Sequence, residues 1–546
     1  MHVESSLVFV LAAVAVIVVV HRVAKVTGLP EAALLPLIGI GYSFLPGPNV
    51  GLDPEIILTF VLPPLLYSAA LDSSLIAIRR NLRTVVSLSV VLVLLTALAI
   101  GFGFAWFVAG ATLAAGIAAG PAVAPPDPVA ALAVGRKVGL PPRLLTLIQG
   151  EGLLNDATAL TILSVAIAAA TGDGFSAPAA LGLFLLDTAA GVAVGVAIAL
   201  VVRLVSRKLG DDPMAANAVS LATPFCAYLL AEQVHGSGVL AVVVAGLIVG
   251  HHTPRTSSGA SRLQTSAVWR LVDFLLEGLV FLLIGQQLPA VVRGLAQYET
   301  STIVIAVAIS VGVVLLLRPL WLVLTQLLPR SLHTRLGGEG PADERRLGGR
   351  EVVALSWSGT RGVISLAAIF TLPLVTDSGE PFPDRDLLLF CTFVVVLVTL
   401  VGQGVTFAPL VRALGLRANE SDQARLRNEA RVASVEAALA ALDDLQAEEH
   451  DDIQDHVIET VRVQLTTRVT RYQGRLDMLR DNVSPEIPVS AHYEAALHVR
   501  RVTLDAQREE LLRWRDAGRL PDEGLRVLER ELDHEERLLP DRKARR

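Results

Sequence analysis

A proline-rich stretch interrupts an apolar run of the chain: residues 120–128 read GPAVAPPDP, with four prolines in eight residues. Each proline lacks an N–H group and clashes with the preceding turn, so a regular helix is not expected to pass through. The carbonyl groups released in apolar surroundings need partners, and a buried cation is one such partner. Asp127 lies inside the stretch, which favours a functional interruption over a simple proline kink.

The charged residues are unevenly distributed along the chain. The 546 residues are 53% apolar and 18% charged, but the charged fraction is about 12% up to Arg417 and about 38% in the 129 residues beyond it. A soluble domain averages about a quarter charged residues. We therefore expect a membrane domain at residues 1–417 and a helical cytoplasmic domain at residues 418–546.

The tail is predicted to form charged helices over residues 420–480 and 490–536, separated at Pro485 and Pro488. It is either a solvated appendage or a regulatory or dimer-stabilising element. The net charge is +1 before the tail and −7 within it, so nucleic acid is not an expected partner. No phosphate-binding Gly-x-x-x-x-Gly-Lys-Ser/Thr loop occurs, which argues against an ATP-driven pump. We expect no cofactor and no enzymatic activity.

Thirteen apolar segments are candidates for membrane-spanning helices, which need about 20 residues, or somewhat fewer where neighbouring helices bury them. The predicted fold is therefore an all-α polytopic membrane protein, embedded in the lipid bilayer, with about thirteen spans and a helical tail. The predicted spans are residues 6–20, 32–46, 55–73, 84–108, 112–135, 144–170, 178–203, 215–233, 237–251, 270–290, 301–328, 351–374 and 387–411.

The basic residues in the loops test this count, because Lys and Arg accumulate on the cytoplasmic side. One set of alternate loops holds 21 of them, and the opposite set holds only Arg293 and Arg385. This asymmetry predicts that the N-terminus lies outside and the tail in the cytoplasm. We expect the membrane to be the cell inner membrane. Six spans, a linker span and six further spans would give two halves of opposite orientation, which is the inverted-repeat plan of many secondary transporters.

The sixth predicted span carries two acids, because residues 150–158 read GEGLLNDAT. At about 100° per residue, Glu151 shares a helix face with Asn155, whereas Asp156 points about 140° away from Glu151. A charge near the bilayer centre costs about 2.5–3.5 kcal/mol, so each acid needs a partner or a function. The two carboxylates point apart and are therefore expected to have separate partners.

The twelfth predicted span contains an arginine between two glycines, because residues 357–365 read WSGTRGVIS. The glycines flanking Arg361 soften the helix and permit a close backbone approach. If this span is the inverted counterpart of the fifth, two interrupted helices cross at mid-membrane. We expect Arg361 to pair with Glu151 as a structural ion pair, which leaves Asp156 free to titrate.

Several other polar residues lie in or near the predicted spans and are expected to have structural roles. Arg318 is expected to extend its charged end to the membrane surface. Helix-end or intersubunit hydrogen bonds are expected for the four remaining acids, which are Asp187, Glu232, Asp273 and Glu277.

Four short strings, taken together, resemble the monovalent cation:proton antiporters of the sodium/proton exchanger branch. The resemblance covers roughly residues 5–415, and the Asn155–Asp156 pair is its most specific part. The strings are PPLLY at 63–67, DPVA at 127–130, GEGLLND at 150–156 and GTRG at 359–362.

The resemblance implies a thirteen-span inverted-repeat homodimer, in which a core domain carries the ion past a static dimerisation domain. It also implies that Asp156 binds both the cation and the proton, that Asn155 supports it, and that Glu151 bridges to Arg361. The candidate cation ligands are Asp156, Asp127, the Pro126 carbonyl group and the Ser68 hydroxyl group.

The chain departs from the family pattern at three positions. Many relatives have an acidic residue in place of Ser68, serine in place of Gly152 and threonine in place of Pro126. Three candidate side-chain ligands are thus absent, and the sequence leaves open the choice among Na⁺, Li⁺ and K⁺, as well as the pH set point.

The expected function is antiport of a monovalent cation, Na⁺ first, for H⁺ by alternating access, with a role in pH homeostasis. Only a core in which Asp156 is neutralised by either ion is expected to cross, because a bare buried carboxylate is strongly penalised. One such carboxylate predicts electroneutral 1:1 exchange, unless Asp127 also titrates. The alternatives are a passive cation channel, although channels usually use symmetric rings of ligands, and a membrane sensor that signals through the tail to an unidentified partner.

Overall fold

The computed structural model is helical, and its described residues contain one isolated β-bridge, between Val375 and Pro381. The helices fall into two units, Met1–Arg417 and Ala418–Arg546, and the boundary lies where the charge density of the sequence changes. The residues described are 3–45, 54–108, 111–171, 177–209, 212–327, 347–376, 379–418, 420–447, 455–480, 491–517 and 519–537.

Three of the described helices of the first unit contain a π-helical segment, which often marks a functional region. The described helices of this unit are α1 (Val3–Thr27), α2 (Glu31–Ser43), α3 (Pro54–Ile56, π-helical Ile57–Val61 and Leu62–Leu71), α4 (Leu75–Arg80), α5 (Leu82–Val86, π-helical Ser87–Val91 and Leu92–Phe107), α6 (Leu113–Val123), α7 (Pro128–Val138), α8 (Pro142–Thr171), α9 (Ala177–Leu209), α10 (Pro213–Gln233), α11 (Gly238–Thr256), α12 (Gly259–Gln286), α13 (Leu288–Arg293), α14 (Thr300–Leu327), α15 (Gly349–Trp357), α16 (Val363–Phe370) and α17 (Arg385–Leu397, π-helical Val398–Gln403 and Gly404–Ala413).

The predicted spans coincide with these helices, and the all-α class is confirmed. Within the described residues, nine helices are long and apolar enough to cross a membrane, and two shorter apolar helices are α2 and Ile57–Leu71. Helix α12 is long but carries four charged residues, and the fifth and twelfth predicted spans are each a pair of short helices. The count of thirteen crossings and the inverted-repeat layout stay predictions.

Local sequence signals explain where several helices begin and end. Gly139 ends α7 in the left-handed conformation at φ 74°, which glycine adopts without strain. Helix α8 then begins at Pro142, where proline is well tolerated because the first N–H groups of a helix have no intrahelical partner. Asp212 caps α10 by accepting a hydrogen bond from the Met214 N–H at 2.9 Å.

The interruption predicted at residues 120–128 is present but narrower than expected. Helix α6 continues through Pro121 to Val123, and α7 starts at Pro128, so the non-helical part is residues 124–127. A proline close to the end of a helix removes only one backbone hydrogen bond, which explains why α6 accommodates it. The second interruption separates α15 from α16 at residues 358–362.

Small residues bring the helices around the first interruption into close contact. A Cβ atom on Gly120 of α6 would lie 2.3 Å from the Ala97 Cα atom of α5. Ile100 and Phe104 of α5 are fully buried in the same apolar core as Ala118 of α6. This packing holds α6 rigidly up to the residue where it ends.

The four helices of the second unit differ from the two long helices predicted for the tail. The ranges 420–480 and 490–536 each contain two helices, and Pro485 and Pro488 lie outside the described residues. Arg462 donates a hydrogen bond to Asp443, and the Arg431 guanidinium group lies 5.7 Å from the centre of the Tyr472 ring, so the first two helices are antiparallel. The helices are α18 (Glu420–Ala447), α19 (Asp455–Arg480), α20 (Ala491–Asp516) and α21 (Asp522–Arg537).

The closest helix contact outside the interruptions joins α2 to α12 and yields a stability prediction. A Cβ atom on Gly39 would lie 2.2 Å from the Leu282 carbonyl oxygen, whereas one on Gly41 of the same helix would meet nothing within 4 Å. We expect Gly39→Ala to lower the unfolding free energy by about 1–3 kcal/mol through overpacking and Gly41→Ala to leave it unchanged. Thermal unfolding in detergent measures both, and equal midpoints for the two variants would contradict this contact.

Candidate functional site

The two interruptions of the chain meet and bond to each other. The Asp127 N–H group donates to the Thr360 carbonyl oxygen at 2.6 Å. The Thr360 hydroxyl group donates back to the Asp127 carbonyl oxygen at 2.9 Å. A continuous helix would have satisfied the backbone groups of Asp127 and Thr360 internally, so each interruption supplies the hydrogen-bond partners that the other lacks.

Arg361 caps the end of α6. Its guanidinium group donates to the carbonyl oxygens of Val123 at 2.8 Å and Ala124 at 3.1 Å, and also to that of Gly359. The last carbonyl groups of a helix lack intrahelical partners and carry partial negative charge. Arg361 therefore supplies both the hydrogen bonds and the positive charge that the interrupted helix lacks.

Asp127 lies at the opposite kind of helix end. Its Oδ1 atom accepts a hydrogen bond from the Val129 N–H group, in the first turn of α7, at 2.9 Å. A Cβ atom on Gly362, the residue before α16, would lie 1.7 Å from Asp127 Oδ2, so the absence of a side chain at position 362 makes room for this carboxylate. The carboxylate thus lies beside the N-terminal ends of two helices, where negative charge is favoured.

Glu151 is paired with Arg318, and the predicted pair between Glu151 and Arg361 is wrong. Both Arg318 Nη atoms donate to the Glu151 carboxylate, with Nη2 at 2.9 Å from Oε2. The two side chains are 1% and 3% exposed. Arg318 Nε donates to the Leu355 carbonyl oxygen near the end of α15 at 3.0 Å. The physical reason for the change of partner is that the Arg361 guanidinium group is occupied by the carbonyl groups at the end of α6.

The prediction that Arg318 extends to the membrane surface is also wrong, because its side chain is buried. A signal for this was present in the sequence. Arg318 lies nine residues before Leu327, the last residue of α14, a rise of about 13 Å along the helix. That distance exceeds the reach of the side chain, and an ionisable residue at such depth needs a buried partner.

Asn155 and Asp156 lie next to the crossing and are almost completely buried, at 0% and 3% exposure. Asn155 Nδ2 donates to the Pro126 carbonyl oxygen at 3.0 Å, and Asn155 Oδ1 is buried without a hydrogen-bond partner. Among the residues that the structure describes, no hydrogen bond or ion pair engages the Asp156 carboxylate. The site therefore combines a carboxylate, an amide oxygen and a backbone carbonyl group, all of which are oxygen ligands suited to a hard cation.

One of the three departures from the family pattern, Gly152, has a structural explanation, and Ser68 has a hydrogen-bond partner outside the crossing. A Cβ atom on Gly152 would lie 2.4 Å from the Pro128 ring, so the ring fills the space of the absent side chain. The Ser68 hydroxyl group donates to Asp273 Oδ2 at 2.5 Å and makes no described hydrogen bond to Asp156, Asn155 or Asp127. Its role as a cation ligand stays a prediction.

Comparison with known proteins adds an independent observation. The family described as "Sodium/hydrogen exchanger, transmembrane" matches residues 9–413. A protein named as an uncharacterized Na⁺/H⁺ exchanger of Mycobacterium tuberculosis is 32% identical over 98% of both chains. The Na⁺/H⁺ antiporter ApNhaP of Aphanothece halophytica is 30% identical over 76% of this chain and 75% of its own.

A solved structure shares the fold. The sodium proton antiporter MjNhaP1 of Methanocaldococcus jannaschii superposes with a TM-score of 0.60 and 19% identity, over 76% of this chain and 99% of its own.

The buried pair between Glu151 and Arg318 yields a prediction for a double-mutant cycle. Glu151→Gln and Arg318→Gln are each expected to lower the stability by about 3–5 kcal/mol, because each leaves one buried charge unpaired. The double variant should cost less than the sum of the two. The control cycle combines Glu151→Gln with Arg361→Gln, which are not hydrogen-bonded and should couple less. Thermal unfolding in detergent measures both cycles, and a larger coupling to Arg361 would refute the pairing described above.

Proposed function

The chain belongs to the sodium/hydrogen exchanger family, whose members exchange cations for protons across membranes, and from this premise we propose that it exchanges Na⁺ for H⁺ by alternating access, with Asp156 as the exchanging carboxylate. The family resemblance found in the four sequence strings is confirmed. The chain is a multi-pass membrane transporter, not an enzyme.

The single observation that carries the proposal is the unpartnered, buried carboxylate of Asp156. Glu151 is neutralised by Arg318, and Asp127 is hydrogen-bonded at a helix start, whereas no described residue neutralises Asp156. A bare carboxylate in a dry interior is strongly disfavoured. Either a proton or a monovalent cation removes this penalty, so competition of the two ions for one side chain is enough to couple their transport.

The proposed cation ligands are the Asp156 carboxylate, Asn155 Oδ1 and the Pro126 carbonyl oxygen. Asn155 Oδ1 is buried and unpaired, which is costly in a neutral amide unless a ligand engages it. The Pro126 carbonyl oxygen accepts one hydrogen bond from Asn155 and retains a second lone pair. Asp127 stays a candidate ligand through Oδ2, since its hydrogen bond from Val129 engages Oδ1. The name of the Aphanothece halophytica relative supports Na⁺, and Li⁺ and K⁺ are the alternatives.

We propose 1:1 electroneutral exchange, because one carboxylate changes its charge in each cycle. Titration of Asp127 as well as Asp156 would change this stoichiometry, because a second proton could move in each cycle. The Asp127 carboxylate accepts the Val129 N–H bond and lies beside the N-termini of α7 and α16, so it already has a fixed structural role, and the proposed exchange uses Asp156 alone.

We further propose an inner-membrane homodimer with the N-terminus outside and the tail in the cytoplasm. The loop asymmetry of 21 basic residues against two supports the orientation. The contact between the two interruptions supports the proposed inverted-repeat layout.

The second candidate function is that of a passive cation channel. An interrupted helix with a carboxylate nearby is also compatible with a pore. The two mechanisms differ in proton movement, since a channel passes the cation without moving a proton in the opposite direction. The proposed ligand oxygens come from α8 and from the non-helical residues before α7 of one chain, which favours an exchanger over the symmetric rings that channels use.

Asp156→Asn is expected to abolish Na⁺-driven proton movement in proteoliposomes loaded with a pH-sensitive dye, because asparagine has nearly the same shape but does not ionise. Asp187→Asn is the matched control, since Asp187 lies on α9 and accepts a hydrogen bond from Thr161 at 3.0 Å. Both variants should show wild-type unfolding temperatures. Full activity in Asp156→Asn would remove this residue from the mechanism, and Na⁺ flux without opposite proton flux in the wild type would identify a channel.

Electroneutrality predicts that the membrane potential does not drive exchange. Moving one net charge across 100 mV is worth about 2.3 kcal/mol, so an electrogenic cycle would shift the final Na⁺ gradient strongly when the potential is clamped with valinomycin and K⁺. We expect the same gradient at zero and at −100 mV clamp values, set by the pH difference alone. A potential-dependent gradient would show that a second group, with Asp127 as the first candidate, titrates in the cycle.

A further inference from the structure

Ser68 of α3 and Asp273 of α12 form a polar contact that the exchange mechanism above does not use. The Ser68 hydroxyl group is buried and donates to Asp273 Oδ2 at 2.5 Å. The other oxygen, Asp273 Oδ1, is enclosed by protein and has no hydrogen-bond partner. Among the described residues no Lys, Arg or His pairs with Asp273. One half of this carboxylate is thus held in place while the other half is unsatisfied.

The contact lies where α3 and α12 pack against the helices of the site. Residues adjacent to the pair in sequence, Tyr67 and Val272, pack in one apolar cluster with Leu153 and Leu154 of α8 and with Ile364 of α16. Leu154 is two residues before Asp156, and Ile364 is two residues after Gly362. The Ser68–Asp273 pair therefore lies on a wall that adjoins the crossing.

A second carboxylate connects Asp273 with the site. Glu277 lies one turn further along α12, so the two side chains share a helix face. Glu277 is close enough to interact electrostatically with both Asp273 and Asp127. In the other direction Asp273 interacts with the exposed Asp72, which follows the end of α3. Acidic side chains therefore extend from an exposed position, past Asp273, towards Asp127 and Asp156.

A structural role does not account for an acid at position 273. An uncompensated carboxylate within a membrane helix is costly, and a serine hydroxyl group would find the same hydrogen bond in a neutral amide. A cation passing along this wall would gain the second oxygen of Asp273 as a ligand and would relieve the unpaired charge.

We propose that Asp273, positioned by Ser68, binds the cation transiently on its way to Asp156 and thereby sets the apparent affinity for the cation. The inference rests on the proposed exchange function and adds a residue that this function does not require. Asp273 acts on cation delivery, whereas Asp156 performs the exchange itself.

The test measures the Na⁺ dependence of proton flux in proteoliposomes. Asp273→Asn is expected to raise the KM for Na⁺ about tenfold, the loss of one charge-assisted contact, with the maximal rate retained. Asp273→Glu keeps the charge and should stay within about threefold of wild type. Ser68→Ala removes only the positioning bond and should raise the KM by about threefold. Asp187→Asn should behave as wild type.

An exchange of the two side chains provides the sharpest control. The double variant Ser68→Asp with Asp273→Ser keeps the carboxylate–hydroxyl pair but moves the charge from α12 to α3, and it should restore the KM to within about threefold of wild type. Na⁺-dependent thermal stabilisation of the detergent-purified variants gives the same ranking without a transport step.

The outcomes separate the inference from the function on which it rests. An unchanged KM in Asp273→Asn, a loss of maximal rate with an unchanged KM, or a double variant no better than Asp273→Asn would each overturn the role of Asp273, while wild-type exchange still stands. Absence of Na⁺-driven proton flux in the wild type would refute the exchange function itself.

Discussion

The crossing of two interrupted helices is the constraint on which the rest of the structure depends. A chain that leaves the helical conformation in a dry interior exposes backbone groups that each cost several kcal/mol if unpaired. Here Asp127 and Thr360 satisfy each other across the crossing. The crossing also brings the Asp127 side chain against the backbone of residue 362, which explains the glycine at that position.

The charges at the crossing match the orientation of the helices that end or begin there. The two helix ends with unpaired carbonyl groups, those of α6 and α15, each receive an arginine, Arg361 and Arg318 respectively. The helix starts of α7 and α16 adjoin a carboxylate, Asp127. Once these electrostatic demands are met and Glu151 is paired, Asp156 is the acid at the crossing without a described partner. The fixed charges thus leave Asp156 as the group on which the proposed exchange rests.

The contribution of an ion pair to stability differs between the two units of the chain. Glu151 and Arg318 are buried, so removal of one partner strands a charge in a medium of low dielectric constant. Arg462 and Asp443 of the tail are exposed to solvent, where water and salt screen the attraction and the pair contributes little. The tail helices are accordingly held together by apolar side chains such as Ile458 and Leu476, with the charges giving direction to their pairing.

Features that depend only on residues close together along the chain can be predicted without a structure. The prolines around Pro125, the glycines around Arg361 and the 140° divergence of Glu151 and Asp156 are consequences of backbone chemistry and helical periodicity. They predicted the first interruption and, as its inverted counterpart, the second, and they left Asp156 as the free carboxylate. The role of Asn155 beside it came from the resemblance to known antiporters.

The hydrogen-bond and ion-pair partners of side chains far apart in sequence depend on how the helices pack, and therefore required the tertiary structure. Periodicity tells which way a side chain points on its own helix, but it does not tell which helix lies opposite. Glu151 therefore met Arg318, 167 residues away, and Ser68 met Asp273, 205 residues away. Arg361, the partner expected from the sequence, was already bound by carbonyl groups that became available only because α6 ends at the crossing.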